Sequence, residues 1–296
     1  MEEVIIDGVV KGSLSDSNFV LDEDKKRKSL ETIERSIVKS YRKHIWIKFV
    51  KAIKEYDMIQ EGDKIAVAIS GGKDSLLLAK LFQELHKHSI FDFEVEYIAM
   101  DPGYNDSVRA HLEDILDYLK IPAKIYKSDV FEVADHLDRE KPCYMCARMR
   151  RGNLYAKAQS LGCNKLALGH HYDDVIETIL LNVLCSANYK TMMPKLKAKN
   201  FDNIELIRPL YFVEEKSIIR FIENSGIQAL NCSCRIAEKK DGKRAEIKEL
   251  IKDLEGSFYN VRNSIFMSAE NVDMGAILGW KEDGEKKSFL ESYDEE

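Results

Sequence analysis

Three short stretches of this chain carry the residue types that chemistry needs. The first is Ser70-Gly71-Gly72-Lys73-Asp74-Ser75, set between the apolar run KIAVAI and an amphipathic segment. Two adjacent glycines let a backbone turn tightly and approach a ligand closely. The free N–H groups of a helix starting there point at an anion, and the helix dipole favours negative charge. Lys73 adds a point charge; Ser70 and Ser75 add hydroxyls. The spacing is not that of the common P-loop, in which the glycines stand further apart and Ser or Thr follows Lys directly. Here Asp74 follows Lys73, which suits either a helix start or a magnesium contact. The hexapeptide is expected to hold phosphate groups.

The second stretch is KPCYMCARMRRGNLY at 141–155. Cys143 and Cys146 bring two thiolates within reach of one metal. Arg148, Arg150 and Arg151 follow at once; their charge favours thiolate over thiol and suits phosphates. Two more cysteines stand close together, Cys232 and Cys234. With the first pair they could close a four-sulfur zinc site. Alternatively one of them supplies a third ligand and leaves one iron of a four-iron cluster open. Spacing alone does not choose. Of the six cysteines, Cys163 and Cys185 lie in apolar contexts and read as core residues. The third stretch is LALGHHYDDVIET, a strand and turn leading into a helix that carries Asp173 and Asp174 at its start. Carboxylates there cap the helix, or one caps while the other meets magnesium or polarises the attacking base. His170 and His171 are acid–base or metal candidates, although a histidine after a strand is more often a hydrogen-bonded structural group.

These residues need elements to position them. Apolar runs predict strands at 64–70, 93–101, 123–129, 165–169 and 204–210, and amphipathic patterns predict helices at 74–85, 107–119, 147–161, 173–184 and 214–224. Alternating strands and helices imply an α/β fold: a doubly wound, mostly parallel sheet with helices on both faces. Ligands of such sheets sit outside the carboxyl ends of the strands, where all three stretches fall. Before this region, apolar residues at Ile33, Ile37, Tyr41, Ile45, Phe49 and Ile53 predict a helical stretch over 30–58, preceded by a loose arm with a potential edge strand. After it, 244–268 reads as helix. The expected division is 1–58 as arm and helix, 59–235 as the catalytic domain, 236–280 as a helical extension and 281–296 as an acidic disordered tail. The 296 residues are 45% hydrophobic and 32% charged, with no run that would span a membrane and no signal peptide, which predicts a cytoplasmic protein. A net charge of −6 gives no global attraction to nucleic acid, so a polyanion partner needs a local basic patch.

The order SGGKDS, CYMCARMRRG, LGHHYDD, followed by MMPKL, IRPLYFVEEKSIIRF and NCSC, resembles the tRNA 2-thiocytidine synthetase family of PP-loop ATP pyrophosphatases. The likeness runs from about residue 56 to 235. It implies a Rossmann-like PP-loop domain, with ATP held at Ser70, Gly71, Gly72, Lys73, Asp74 and Ser75 and further nucleotide contacts at Met100 and Gly169. It implies Mg2+, and a [4Fe-4S] cluster held by Cys143, Cys146 and a later cysteine, Cys234 ahead of Cys232. The family's later pair is usually Cys-x-x-Cys, whereas this chain has Cys232-Ser233-Cys234. The implied reaction adenylates the C2 oxygen of a cytidine, at position 32 of the tRNA anticodon loop, and replaces that oxygen with sulfur. In it Lys73 and the arginines stabilise phosphate charge, and Asp173 or Asp174 orients the base or magnesium. The partners are tRNA and a sulfur donor, a cysteine desulfurase or sulfide, and a homodimer is admissible. Arg148, Arg150, Arg151, Lys190, Lys195 and Lys197, with Lys199, are candidates for RNA contact; a solvated lysine loop is the plain alternative for the lysines. Competing readings are a 2-thiouridine-forming relative, or a PP-loop ligase or amidotransferase acting on a small molecule with a structural zinc site.

Overall fold

A computed structural model describes residues 26–89, 92–128, 142–230, 242–282, 284–291 and 293; within it, the side chains of 142–148 and 150 are not described. The expected edge strand in the N-terminal arm, the side chains of Cys143, Cys146, Arg148 and Arg150, and all of Cys232 and Cys234 lie outside the described residues.

The chain forms two compact units, one of 1–175 with 193–242 and the other of 176–192 with 243–296. The first holds a six-stranded sheet of β1 (Lys64–Ile69), β2 (Glu94–Asp101), β3 (Lys124–Lys127), β4 (Lys165–Ala167), β5 (Lys195–Lys197) and β6 (Glu205–Ile207). The order is β3-β2-β1-β4-β6-β5. All neighbours run parallel except β5, which lies antiparallel on β6 at the edge. This is the doubly wound sheet that the strand–helix alternation predicts. β1 is central and buried along almost its whole length, which explains its unbroken apolar run. The order reverses direction between β1 and β4, which places the crevice of such a sheet at their carboxyl ends.

The helices of this unit are α1 (Leu30–Val38), α2 (Ile47–Glu55), α3 (Lys73–His88), α4 (Asp106–Tyr118), α5 (Pro142–Ser160), the start of α6 (Tyr172–Ser186) and α7 (Glu215–Ser225). The single helix expected over 30–58 is in fact α1 and α2 joined by a turn and a π-helical segment, Arg42–Trp46. The reason lies in the spacing. The apolar residues recur every four positions, so on a regular α-helix the stripe would drift by about 40° per repeat. The wider π turn absorbs that drift and keeps Ile33, Ile37, Ile45, Phe49 and Ile53 buried on one side. α3 is buried from Ser75 to Phe82, including Lys80, whose ammonium reaches Glu34 at 2.6 Å, Gln83 at 2.6 Å and the Leu119 carbonyl at 3.0 Å. On the sheet, Ala66, Ile98, Leu166 and Leu206 pack with Tyr155 and Ala158 of α5.

β5 was not foreseen; its sequence KLK reads as a lysine loop. The helix expected from 147 begins at Pro142, so Cys143 and Cys146 fall within its first two turns, with proline in the favoured opening position. In the second unit, the stretch expected as one helix over 244–268 is two, α8 (Lys243–Ser257) and α9 (Val261–Ser268), separated at Asn260 with φ +55°. The tail expected to be disordered from Lys281 carries instead an antiparallel hairpin, β7 (Gly279–Glu282) with β8 (Glu285–Ser288), turning at Gly284 with φ +89°. Charge and polarity there mark solvent exposure, which a two-stranded ribbon tolerates on both faces.

Candidate active site

β1 ends at Ile69 and the chain turns at once into α3. Gly71 takes φ +78°, where a side chain would be strained, and a Cβ there would also press to 2.6 Å on the Leu230 side chain. The Gly71 carbonyl accepts the Leu230 N–H at 2.9 Å. The loop is braced from within. The Ser75 hydroxyl accepts from the Ser70 N–H at 3.1 Å and donates to the Gly72 carbonyl at 2.9 Å, while the Ser70 hydroxyl accepts from the Gly72 N–H at 3.3 Å. The first-turn N–H groups of α3 thus stand at the mouth of a preformed loop.

Lys73 reaches Asp74 and Glu215 at 3.0 Å each. Burial works against its charge, but attraction to Asp74 and Glu215 outweighs this and lifts the ammonium above its ordinary value. Asp74 is pushed up chiefly by burial; His171 and Lys73 pull it down in part, and Asp174 adds repulsion. Its Oδ1 is buried and makes no hydrogen bond. His171, 4% exposed, stands among four carboxylates: Asp174 at 3.5 Å, Asp74 at 3.7 Å, Asp173 and Glu215 at 3.9 Å. It is neither a plainly hydrogen-bonded core histidine nor a group aimed at solvent. Both aspartates of the third stretch do structural work: Asp174 accepts the His171 N–H at 3.0 Å, capping α6, and Asp173 accepts the Glu215 N–H at 2.7 Å, holding the start of α7.

Beside the loop is a cavity of about 220 Å³ lined by Ser70, Asp74 and Ser75, by Met100 near the end of β2 and Tyr104 after it, and by Gly169 and His170 after β4. A Cβ on Gly169 would meet the Asp74 backbone at 3.2 Å, so the glycine lets the turn after β4 lie directly against the start of α3. Tyr104 is set by Asp101, whose carboxylate accepts the Gly103 and Tyr104 N–H groups at 2.9 and 2.7 Å and pairs with Arg109 at 3.1 Å. A larger hollow of about 500 Å³ lies at the amino ends of the strands. There Lys165 pairs with Glu205 at 3.0 Å and with Asp63 at 3.4 Å.

The structure therefore gathers Ser70, Gly71, Gly72, Lys73, Asp74, Ser75, Met100, Gly169, Asp173 and Asp174 at one end of the sheet. It does not bring the lysines there. Lys197 lies opposite Glu205, the first residue of β6, at the amino end. Lys195 is taken up by the Asp57 carbonyl at 2.7 Å and by Glu205 at 3.5 Å. Arg151 is exposed on α5, and Lys190 is exposed in the second unit. Cys163 is buried and its thiol is pushed up to about 11 by burial, whereas Cys185, expected in the core, is exposed near the end of α6. Sequence reasoning missed Glu215, whose only signal was the acidic pair opening α7. It also missed Arg208, 7% exposed just beyond β6, whose guanidinium burial pulls down to about 10 and whose Nε makes no hydrogen bond. Among the described residues no group of three or more His, Cys, Asp or Glu is arranged to hold a metal ion, and no helix is long and apolar enough to cross a membrane.

Comparison with known proteins gives this geometry a context. A PP-loop domain family matches residues 41–233. The tRNA-cytidine(32) 2-sulfurtransferase of Pelobacter propionicus is 38% identical over 232 residues, covering 77% of this chain and 85% of that protein. The protein of the same name from Neisseria meningitidis is 36% identical over 226 residues, covering 75% and 69%. Among solved structures, the U34-tRNA thiolase NcsA from Methanococcus maripaludis with its [4Fe-4S] cluster superposes with a TM-score of 0.59 at 22% identity, covering 79% of this chain and 82% of that one, a likeness of fold.

Proposed function

The chain belongs to the tRNA-cytidine(32) 2-sulfurtransferase family of PP-loop proteins, and from that premise we propose how its residues carry the reaction. It is an enzyme of ATP-dependent tRNA thiolation. The observation that carries the assignment of roles is the braced glycine loop at the carboxyl end of β1: Asp74, whose buried Oδ1 makes no hydrogen bond, lines the cavity beside the loop, Lys73 is held against Asp74 and Glu215, and Gly169 lets the turn after β4 lie against the start of α3.

ATP fits this place. The loop amides and the Lys73 ammonium meet its phosphates, and Met100 and Tyr104 offer an apolar seat for the base. Asp74, alone or with Asp174, would hold Mg2+, which takes one or two protein carboxylates and completes its shell with phosphate oxygens and water. That role accounts for a buried carboxylate oxygen with no hydrogen bond. The target cytidine leaves its stack to reach the pocket. Its O2 attacks the α-phosphorus and pyrophosphate departs, its charge met by Lys73. Sulfide then adds at C2 and AMP leaves with the original oxygen. Glu215 and Asp74 hold Lys73 in position between them; Asp173 fixes the start of α7, from which Glu215 reaches in. Cys143, Cys146 and Cys234, with Cys232 the alternative third ligand, would hold a [4Fe-4S] cluster, which would supply the sulfur-carrying chemistry. The sulfur itself comes from a cysteine desulfurase or from free sulfide.

The test is a reaction of anaerobically purified protein with ATP, sulfide and a tRNA transcript bearing cytidine at position 32. Expected are AMP and pyrophosphate in step with 2-thiocytidine, detected by mass spectrometry, and no product when position 32 is uridine. Pyrophosphate release without thiolated base, from protein that carries zinc and no iron, would overturn the sulfur-transfer reading.

A further inference from the structure

The charge of this chain is unevenly distributed. Between Lys26 and Lys54 stand ten lysines and arginines against two glutamates, in a chain whose net charge is −6. Three of the ten are ion-paired: Arg27 with Asp114, Lys48 with Glu214 and Lys51 with Glu55. The other seven, Lys26, Lys28, Arg35, Lys39, Arg42, Lys43 and Lys54, are exposed and have no ion pair among the described residues. Of the two acids, Glu34 is committed elsewhere, to Lys80 at 2.6 Å and Lys87 at 3.1 Å, where their hydrogen bonds hold its carboxyl low against the upward push of burial.

Three of the unpaired cations converge. Lys28, Arg35 and Lys39 line a groove of about 270 Å³ between α1 and the end of α7, together with Thr32, Ser40 and Asn224; among the described residues no carboxylate lines it. Arg35 and Lys39 also sit at the carboxyl end of α1, where a cation gains from the helix dipole. That accounts for two charges at a helix end. It does not account for Lys28, which precedes the helix, or for a concave surface furnished with hydroxyls and an amide and without an acid. Lysine and arginine with neutral Ser, Thr, Asn and Tyr donors is the set that proteins bring to phosphodiester oxygens.

We infer that this groove docks the sugar–phosphate backbone of the RNA substrate, at a place separate from the ATP loop. The inference rests on the tRNA reading given above. The groove takes precedence over the 190–199 lysines as the main electrostatic contact: of those, Lys195 is already engaged by Asp57 and Glu205, and Lys197 lies opposite Glu205 at the amino end of the sheet. It also answers how a chain of net charge −6 attracts a polyanion: the repulsion is spread over the molecule, while the attraction is concentrated on one helical segment.

The test uses the full chain with Lys28→Gln, Arg35→Gln and Lys39→Gln combined. Binding of a fluorescent tRNA transcript is followed by anisotropy from 50 to 200 mM KCl, beside wild type. Expected are about tenfold or greater weakening and a slope of log K against log[KCl] smaller by about 2, since each lost phosphate contact removes somewhat under one unit. ATP-induced thermal stabilisation should be unchanged, which shows that the fold and the loop survive. Wild-type affinity and slope in the variant would overturn the inference. Failure of the wild-type protein to bind tRNA would instead overturn the substrate reading. Unchanged tRNA binding, with thiolation lost when a persulfide-carrying protein supplies sulfur but kept with inorganic sulfide, would assign the groove to an acidic protein and also overturn the inference.

Discussion

Asp74 is costly where it stands. Its carboxyl is raised mainly by burial, and its Oδ1 makes no hydrogen bond, so the ionised form is held in the folded protein at a loss. The sign follows: a carboxyl raised on folding lowers stability at any pH above its folded value, because the unfolded chain ionises more easily. Asp74→Asn should therefore raise the thermal midpoint at pH 8 by about 2 °C in calorimetry, a shift typical of a gain near 1 kcal/mol. It should also slow pyrophosphate release by about 10³-fold, the loss expected when a charge-stabilising contact to a reacting phosphate is removed. A variant less stable than wild type would mean that Asp74 is a structural brace. The glycine loop was legible because its residue types have few other uses together. Glu215 and Arg208 were not legible, because nothing in their immediate sequence records the Lys73 ammonium that one reaches or the burial that encloses the other.

Among the elements, α7 shows how a helix start is held. Glu214 stands just before its first residue, and its carboxylate receives Lys48 of α2 at 2.6 Å and Lys216 at 2.5 Å. Burial pushes the Glu214 carboxyl up, but the hydrogen bonds from Lys216 and Lys48 prevail and hold it at about 2, against an ordinary 4.5. A depressed carboxylate stabilises the fold above its unfolded value and loses that contribution as pH falls through its folded one. Wild type should accordingly lose about 2 kcal/mol more than Glu214→Gln between pH 5 and pH 2 in urea titrations, after discounting for the exposed Lys216. Parallel acid limbs would show that the pair contributes nothing. The same scale explains what the sequence conveys about elements. Buried parallel strands announce themselves as unbroken apolar runs. β5 does not, because three residues at an antiparallel edge carry two lysines outward. The break between α1 and α2 was present in the strict four-residue spacing, but only as a drift that a π turn corrects.

For the whole molecule, the two units are interleaved in sequence. The stretch 176–192 belongs with 243–296, not with the sheet domain that surrounds it in the chain. Within that unit Glu177, 2% exposed, receives Arg244 at 2.7 Å, and the Tyr189 hydroxyl lies 2.8 Å from that of Ser268. A chain ending at Gly242 would keep Glu177 and Tyr189 and lose both of these partners. Such a fragment should bind a hydrophobic dye and aggregate at concentrations where the full chain is monodisperse. A well-behaved fragment with a sharp unfolding transition would show that 176–192 needs no help from the C-terminal helices. Contiguous boundaries drawn from composition miss this arrangement, because composition changes along the chain while packing joins its distant parts.

One backbone hydrogen bond reaches further than its size suggests. Leu230 donates to the Gly71 carbonyl, inside the nucleotide loop, and Cys232 follows only two residues later. The loop and Leu230 are thus pinned to each other. Linkage makes any coupling mutual: if those cysteines hold the proposed cluster and nucleotide tightens its binding by some factor, the cluster tightens nucleotide by the same factor. Oxygen damage at the cysteines would then be felt as weakened ATP binding, and a bound nucleotide would act as a preservative for the proposed cluster.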